Sequence, residues 1–283
     1  MKLSRRLLKQ IYLALEEDIG IGDCTSSLFF SESEEGIFSL YARENGIICG
    51  LFLAEIIFRH LDEKIIVDHH ACEGEQVRQG QMLCRISGRV RHILEGERVF
   101  LNFIQRLSGI ATRTGEYVKK AAPYGVTILD TRKTMPLWRE LDKYAVRTGG
   151  GCNHRMGLYD MILVKDNHID AAGGIHKALK IVQELASKDL PIEVEVRNLD
   201  DLEQVLKYKD LVDYVMLDNM DPDDIRKAVR KAGGVLTLEA SGGITLDNIE
   251  QYAGTTVDRI SLGDLTHSVK ALDMSLLFFG NKD

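Results

Sequence analysis

Six short apolar segments, each followed by a helical pattern, fill the chain from residue 126 to residue 262 and restrict its fold. These strand candidates are Val126–Asp130, Met161–Lys165, Ile192–Val196, Tyr214–Leu217, Val235–Leu238 and Arg259–Leu262. Most are continuous apolar runs, which is typical of parallel strands covered on both faces. The alternation predicts an α/β barrel or an open, barrel-like parallel sheet.

Helical patterns separate the strand candidates, at Leu137–Arg147, Ile175–Ser187, Pro222–Ala232 and Thr245–Tyr252. Pro136 precedes the first of them, and proline suits a first helical turn. Thr245 opens the last, and threonine is a common N-cap residue.

Polar side chains follow every strand candidate of this region. They are Thr131-Arg132-Lys133, Lys165-Asp166-Asn167-His168, Glu195, Asp218-Asn219, Ser241-Gly242-Gly243 and Gly263-Asp264. In a parallel barrel these strand ends meet at one mouth, where active sites lie. The alternative, that polar residues merely terminate strands, does not account for so many cations and carboxylates.

Residues 1–108 follow a different pattern and form a smaller domain with both helices and strands. It has paired strands in Gly36–Gly50, a helix at Leu51–Leu61 and a strand-rich stretch at Lys64–Ile86. A long helical pattern, Glu95–Lys120, leads into the barrel. We therefore expect one domain at 1–108, joined by the C-terminal segment 270–283, and a barrel domain at 109–269.

Composition excludes several classes of protein. The chain has 283 residues and a formal net charge of −7, which argues against nucleic acid as a partner. No apolar run reaches the length of a membrane span. The basic N-terminus lacks the apolar core of a signal peptide, and it is interpreted as an amphipathic first helix. Five cysteines without CxxC spacing favour a reducing, cytoplasmic location.

A cationic cluster lies inside this acidic chain. From Thr131 to His168 there are seven Lys or Arg and two His against four acids. Cations gathered between apolar strands are costly to desolvate unless anions occupy the site. Carboxylates and phosphates are the natural ligands, since Arg grips them with two hydrogen bonds and Lys binds as a point charge.

Two glycine-containing turns after the late strands favour phosphate binding. Ser241-Gly242-Gly243 precedes a helical pattern, where free N–H groups can meet an anion, and Gly263 to His267 can close the same pocket. A tight turn without a ligand is the alternative. Glu195 and Asp218 can hold Mg²⁺ on a diphosphate, or pair with Arg132 or Lys165 instead.

Two other patterns carry less weight. His69-His70-x-Cys72 is not expected to bind metal, because neighbouring strand residues point to opposite faces. The glycine spacing of Gly74–Leu83 is similar to a lipoyl carrier, but without a lysine in a hairpin turn it is interpreted as structural.

The chain resembles the quinolinate phosphoribosyltransferase family in long motifs spread over nearly its whole length. The motifs include Thr131-Arg132-Lys133-Thr134, Lys143-Tyr144-Ala145-Val146, Gly149 to Asp160, Lys165-Asp166-Asn167-His168, Glu193-Val194-Glu195, Leu217-Asp218-Asn219 and Glu239 to Ile244. The resemblance implies an α/β fold with an N-terminal α/β sandwich domain and an incomplete, open TIM-like α/β barrel. It implies transfer of a phosphoribosyl group from 5-phosphoribosyl-1-pyrophosphate to quinolinate, with decarboxylation, in NAD biosynthesis.

The resemblance also implies roles for individual residues. Arg132, His154, Arg155 and Lys165 would bind quinolinate, with Arg98 supplied by the partner subunit of a homodimer. Lys133, Lys165, Glu195 and Asp218 would be catalytic, and Glu195 and Asp218 would face Mg²⁺. The residues implied for phosphate are Lys133, Ser241, Gly242, Gly243, Gly263 and His267. Assembly of dimers into hexamers stays open.

The chain departs from the family at one loop, and two other functions compete. Leu137-Trp138 follows Pro136, where the family usually has glycine, so the conformation of this loop is left open. A molybdenum-transport-associated relative shares the fold, but Lys165 favours the quinolinate enzyme. A non-catalytic phosphate-binding module would not need Glu195 and Asp218 beside the glycine turn.

Overall fold

A computed structural model describes residues 3–186 and 189–281 of the chain. The chain forms two compact units. The first comprises Met1–Arg113, Glu140–Gly149 and Val269–Asp283, and the second comprises Thr114–Arg139 and Gly150–Ser268. Among the described helices, none is long and apolar enough to cross a membrane.

Eleven α-helices and twelve strands are formed by the described residues. The helices are α1 (Arg5–Ile19), α2 (Ser26–Phe29), α3 (Leu53–Leu61), α4 (Val90–Ala121), α5 (Arg139–Thr148), α6 (Asp166–Ala172), α7 (Ile175–Leu185), α8 (Leu199–Leu206), α9 (Pro222–Ala232), α10 (Ile249–Ala253) and α11 (Asp264–His267). The strands are β1 (Glu35–Ala42), β2 (Gly46–Ile47), β3 (Ile66–His69), β4 (Gln76–Val77), β5 (Met82–Arg89), β6 (Thr127–Leu129), β7 (Ile162–Val164), β8 (Ile192–Val196), β9 (Tyr214–Asp218), β10 (Thr237–Ser241), β11 (Arg259–Ser261) and β12 (Met274–Asn281).

The first unit contains an antiparallel sheet in the order β12-β1-β5-β3. The expected pairing of strands within Gly36–Gly50 is wrong. β1 pairs with β12 and β5, whereas β2 pairs with β4. The reason is that β1 is eight residues long and mostly buried, so it needs a neighbour on each edge, and β2 is only two residues long.

The packing of α1 follows from its amphipathic sequence. Leu7, Ile11 and Leu15 recur at helical spacing and are buried, and the hydroxyl of Ser4 caps the helix by accepting a hydrogen bond from Leu7 N at 3.1 Å. The predicted amphipathic first helix is confirmed.

The second unit is built on a six-stranded parallel sheet in the order β6-β11-β10-β9-β8-β7. β6 and β7 lie at its two ends, which confirms the expected open α/β barrel. The four middle strands have few exposed residues; all five residues of β8 are buried. The C-terminal ends of all six strands therefore face the same side, as the parallel order requires.

Several boundaries differ from the sequence expectation, and two of these differences have a local structural reason. β10 begins at Thr237 rather than at residue 235, because Gly233 and Gly234 have positive φ values and Val235 is half exposed in the turn. α10 begins at Ile249, and Thr245 is not its N-cap. The Oδ1 of Asn248 accepts a hydrogen bond from Thr245 N at 2.7 Å, which makes a separate turn before the helix. Ser187, the predicted end of α7, lies outside the described residues.

The loop that departs from the family is a turn with Leu137 in the left-handed region. Trp138 N donates a hydrogen bond to Met135 O at 3.1 Å, and Leu137 at the third position has a φ of 69°. Proline at the second position and glycine at the third favour a type II turn, so Leu137 occupies the place where glycine is preferred. Its side chain is exposed and adds little packing.

We expect Leu137→Gly to be about 1 kcal/mol more stable than Leu137→Ala, because only glycine lacks the Cβ that strains a positive φ. Alanine serves as the control, since it removes the same exposed side chain and keeps the strain. Urea unfolding of both variants measures the difference. Equal stability of the two would contradict a strained turn at this position.

Candidate active site

A pocket of about 410 Å³ lies at the C-terminal ends of the parallel strands of the second unit. Its volume is within the ordinary range for small-molecule sites. Fourteen residues line it: Thr131, Arg132, Lys133, His154, Arg155, Leu163, Lys165, Asp166, Asn167, Glu195, Met216, Asp218, Ser241 and Ser261. The lining therefore combines four Lys or Arg side chains with acidic and hydroxyl groups from neighbouring strands.

Two guanidinium groups give the pocket its strongest positive field. Arg155 is 8% exposed, and its Nη1 donates a hydrogen bond to Met161 O at 3.2 Å. Burial, followed by the charge of Arg132, lowers the pKa of Arg155, whereas Glu193 and Asp160 oppose this shift. The Nε of Arg132 is buried and has no hydrogen-bond partner among the described residues. Two neighbouring guanidiniums with a spare buried donor are arranged for an anion.

Two loops carry these cations, and buried polar groups tie the loops down. Oδ1 of Asp130 accepts a hydrogen bond from His154 N at 2.9 Å, and its Oδ2 accepts one from Asn153 Nδ2. Asp130 is fully buried, so its bonds join the end of β6 to the loop before β7 at a fixed distance.

Arg139 links the same two loops from another side. Its Nε donates to Thr134 Oγ1 at 3.1 Å and its Nη2 to Arg132 O at 3.3 Å, both in the loop after β6. Its Nη1 donates to Met156 O at 3.0 Å in the other loop. The three hydrogen bonds hold the backbone that presents Arg132 and Arg155.

Carboxylates from adjacent strands line the opposite part of the pocket. Nζ of Lys165 lies 3.1 Å from Oε2 of Glu195, and the side chain of Glu195 is 8% exposed. Asp218 ends β9, the neighbour of β8. The ion pairing considered as an alternative for Glu195 is therefore present. It leaves both carboxylates in the pocket, where their oxygens suit a hard cation such as Mg²⁺.

The glycine turn after β10 approaches the backbone of the preceding strand end very closely. Gly242 has a φ of 95°, and a Cβ built on it would lie 2.2 Å from Oδ1 of Asn219. Asn219 in turn donates from Nδ2 to Asp218 Oδ2 at 2.8 Å and has a φ of 53°. Only glycine fits here, so this turn and the end of β9 are positioned together.

The loop after β11 approaches Lys133. A Cβ on Gly263 would lie 2.9 Å from Cδ of Lys133 and 3.1 Å from the ring of His267. Oγ1 of Thr266 donates to Lys133 O at 2.9 Å. Gly263 thus lets the lysine and the histidine come together beside the glycine turn.

A buried group of three ionisable side chains lies beneath the cationic loops. Nε2 of His154 is 2.9 Å from Oε2 of Glu193 and 3.7 Å from Oε1 of Glu239. Burial, followed by the charge of Glu193, raises the pKa of Glu239 to about 7, and His154 opposes this shift.

Comparison with known proteins places this geometry in a family. Residues 110–277 match the model of the quinolinate phosphoribosyl transferase C-terminal domain, and residues 23–108 match the model of its N-terminal domain. The chain belongs to the quinolinate phosphoribosyltransferase family. The resemblance seen in the motifs is confirmed.

Individual relatives agree with the family model over almost the whole chain. The probable nicotinate-nucleotide pyrophosphorylase [carboxylating] of Bacillus subtilis (strain 168) is 43% identical, over 96% of this chain and 92% of the relative. Quinolinate phosphoribosyltransferase [decarboxylating] 2, mitochondrial, of Nicotiana glauca is 42% identical, over 95% of this chain and 81% of the relative. The structure of the nicotinate-nucleotide pyrophosphorylase from Francisella tularensis superposes with a TM-score of 0.93 at 42% identity, covering 98% of each chain.

Most residues that the family resemblance implied lie in the pocket. Arg132, Lys133, His154, Arg155, Lys165, Glu195, Asp218 and Ser241 are among its lining residues. Gly242, Gly243, Gly263 and His267 belong to the glycine turn and the β11 loop and are not among the described lining residues. Arg98 lies exposed on α4, in the first unit. Their roles in binding stay predictions.

Sequence reasoning missed the residues that support the pocket from outside its surface. Glu193 and Glu239 belong to the family motifs named above, whereas Asp130 and Arg139 lie outside them; none of the four carried a predicted role. One signal was present. Glu193 and Glu195 are two residues apart on a strand, so both point to the same face, and only one of them can stand at the strand end.

Proposed function

We propose that this chain is a pentosyltransferase that joins quinolinate to 5-phosphoribosyl-1-pyrophosphate. The products are nicotinate mononucleotide, pyrophosphate and CO₂, as a step of NAD biosynthesis. The observation that carries the proposal is the pocket in which the cations Arg132, Arg155 and Lys165 lie together with the carboxylates Glu195 and Asp218. The names of the relatives support the same reaction.

Quinolinate carries two carboxylates, and the pocket offers cations for both. We assign them to Arg132, Arg155 and Lys165, with the ring of His154 beside Arg155. Arg binds a carboxylate through two parallel hydrogen bonds, and the partly exposed Lys165 supplies a point charge. The cations hold quinolinate in one orientation, so that its ring nitrogen points in a single direction. Holding the reacting atom in this way lowers the barrier of the reaction.

The phosphoribosyl donor would lie against the late strands. Lys133 beside Gly263 would supply a cation for its phosphates, His267 a ring nitrogen, and the turn Ser241-Gly242-Gly243 backbone N–H groups. Glu195 and Asp218 would hold Mg²⁺ together with the diphosphate, and the donor set fits because both residues offer carboxylate oxygens in the same pocket. The metal would neutralise charge on the diphosphate.

The chemistry needs no nucleophile from the protein. The ring nitrogen of quinolinate forms a bond to C1 of the ribose while the bond from C1 to the pyrophosphate oxygen breaks, and pyrophosphate leaves with the electron pair. Positive charge develops on the ribose, where Glu195 and Asp218 stabilise it. The C2 carboxylate of the resulting pyridinium then leaves as CO₂, and a proton from water replaces it.

The test is a coupled assay with purified protein, quinolinate, the phosphoribosyl donor and Mg²⁺. Loss of quinolinate should match formation of nicotinate mononucleotide, stop with EDTA and resume with added Mg²⁺. Nicotinate replaces quinolinate in the control, because its single carboxylate leaves part of the cationic site empty. No turnover by well-folded protein would overturn the proposal.

The same proposal includes a homodimer in which Arg98 of each subunit completes the site of its partner. Its exposed position on α4 supports an intermolecular role. We expect Arg98→Ala and Lys165→Met to be nearly inactive alone. Co-expressed at equal levels they should recover about a quarter of the activity, because half of the dimers then have one of two sites intact. Recovery of no activity in mixed dimers, confirmed by differently tagged subunits, would show that Arg98 acts within its own chain.

A cytoplasmic location is part of the proposal. The described cysteines are all free, and two of the five are buried, which fits a reducing compartment. Relatives from plants carry mitochondrial or chloroplastic in their names, so the compartment differs within the family. Fractionation of the source cells followed by the coupled assay would assign it.

A further inference from the structure

Within the buried group of His154, Glu193 and Glu239, the two glutamates have no part in the reaction as written above. The carboxylates of Glu193 and Glu239 are 1% and 0% exposed, and none of their oxygens has a hydrogen-bond partner of good geometry among the described residues. Burying two adjacent carboxylates destabilises a protein unless another group compensates them. Both carboxylates lie next to His154, which lines the pocket. This position suggests that the two glutamates contribute to the arrangement of the pocket.

The hydrogen bonds of His154 define which of its nitrogens carries the proton. Arg155 N donates to Nδ1 of His154 at 2.7 Å, so Nδ1 is an acceptor and has no proton. The ring proton is therefore on Nε2, the atom that lies 2.9 Å from Glu193 and 3.7 Å from Glu239. Glu193 favours this tautomer, because its Oε2 lies 2.9 Å from Nε2, where a ring proton attracts the carboxylate oxygen and a bare lone pair would repel it.

The backbone bond to His154 restrains a residue that would otherwise move. Arg155 lies near the like charge of Arg132, and in the absence of substrate the two guanidiniums repel each other. Arg155 is held at its backbone by His154 and at Nη1 by Met161 O, and the charge of Glu193 favours its ionised form. These three interactions keep the guanidinium in place before an anion arrives.

We propose that Glu193 and Glu239 are positioning residues that hold His154 as its Nε2–H tautomer and, through Nδ1, fix Arg155 for the dicarboxylate. The inference rests on the proposed function of the pocket. Among the described residues, Glu193 from β8 and Glu239 from β10 face Nε2 of His154, and the backbone N–H of Arg155 faces Nδ1. Neither glutamate lines the pocket; both act through the histidine, and Glu193 also acts through its charge on Arg155.

A metal centre is the competing interpretation of the same three side chains. Their ligand atoms lie within 4.8 Å of one another, which is close enough for one ion. A metal on Nε2 needs the lone pair of that nitrogen, whereas the hydrogen bond to Nδ1 places a proton there. The buried guanidinium of Arg155 next to the group also disfavours a divalent cation.

The first experiment measures the tautomer in wild-type protein without substrate. Protein labelled with ¹⁵N-histidine is examined by long-range ¹H–¹⁵N correlation, and the His154 signals are assigned by their loss in His154→Gln. We expect a neutral Nε2–H ring between pH 6 and 8. An imidazolium or an Nδ1–H ring would overturn the proposal, as would one equivalent of metal in the purified protein that is lost in Glu239→Gln.

The second experiment separates positioning from general stability. Glu193→Gln and Glu239→Gln should raise KM for quinolinate roughly tenfold or more, since displacement of a binding group by about 1 Å has effects of this size. KM for the phosphoribosyl donor should stay within twofold, and Glu239→Asp should recover part of the loss. Exposed Glu203→Gln is the matched control. Unchanged KM for quinolinate in both Gln variants would overturn the proposal.

The two experiments also separate this inference from the reaction itself. The tautomer is measured without turnover. An inactive protein with the Nε2–H ring would therefore contradict only the proposed function. An active enzyme with another tautomer would sink only the role of the two glutamates. If a Gln variant does not fold, the tautomer measured in the wild-type protein still tests the proposed role of the two glutamates.

Discussion

Lys165→Met should lower kcat/KM for quinolinate about 1000-fold. Nζ of Lys165 lies in the pocket, 3.1 Å from Oε2 of Glu195. Methionine has a similar length but no charge, so the variant loses a cation for the substrate and leaves a nearly buried carboxylate without its ion pair. A charge-assisted hydrogen bond contributes about 1.5–3 kcal/mol, and the unpaired carboxylate adds a comparable cost. Together these effects give about 4 kcal/mol, or three orders of magnitude.

Steady-state kinetics with both substrates measure this effect, and exposed Lys180→Met is the control. A double-mutant cycle with Glu195→Gln divides the loss between the two causes. If Lys165 mainly neutralises Glu195, the double variant should be no worse than Glu195→Gln alone. A loss of less than tenfold in Lys165→Met would contradict both roles of the lysine.

The sheet of the second unit was predictable because its strands are covered on both faces. A parallel strand of this kind is a short apolar run, and β8 was predicted to the residue because all five of its residues are buried. Pairing in the first unit was not predictable in the same way. β1 lies beside β12, which is more than 230 residues away in the sequence, and no local pattern encodes that partner.

The pocket surface was predictable from one rule of parallel sheets, whereas the residues that support the pocket were not predictable. Parallel strands place their C-terminal ends together, so Lys165, Glu195 and Asp218 had to be neighbours. The role of Arg139 could not be predicted in this way, because two of its three hydrogen bonds go to backbone carbonyls, which every residue has. A hydrogen bond to a backbone atom does not depend on the residue type of the partner, so the sequence does not reveal it.

Helix α5, in the first unit, also makes contacts that could not be predicted from the sequence. Its position was predicted from its helical pattern, but its partners depend on distant residues. Nη2 of Arg106 lies 3.0 Å from Oδ2 of Asp142, which is fully buried, and Tyr144 donates to Glu73 at 3.3 Å. The sequence does not mark Arg106 for this contact, because its partner lies 36 positions away.

Gly242→Ala should reduce kcat/KM for the phosphoribosyl donor about 100-fold. The new Cβ would lie 2.2 Å from Oδ1 and 3.1 Å from the backbone N of Asn219, so Asn219 has to move. Asn219 donates a hydrogen bond to Asp218, and its displacement carries that carboxylate away from the pocket. A shift of about 1 Å in a positioning group can lower a rate about 100-fold. The strained φ of 95° adds a loss of folding stability of about 1–3 kcal/mol.

Gly234→Ala separates the clash from the strain. Gly234 has a φ of 77° and a Cβ there meets nothing within 4 Å, so alanine suffers the same kind of backbone strain without a collision. Both variants should unfold at lower urea concentration than the wild type, but only Gly242→Ala should lose activity, with KM for the donor rising more than KM for quinolinate. Equal activities would mean that Asn219 adapts without moving Asp218, and the glycine would then serve the turn alone. A larger rise in KM for quinolinate would instead place Asp218 at the dicarboxylate end of the pocket.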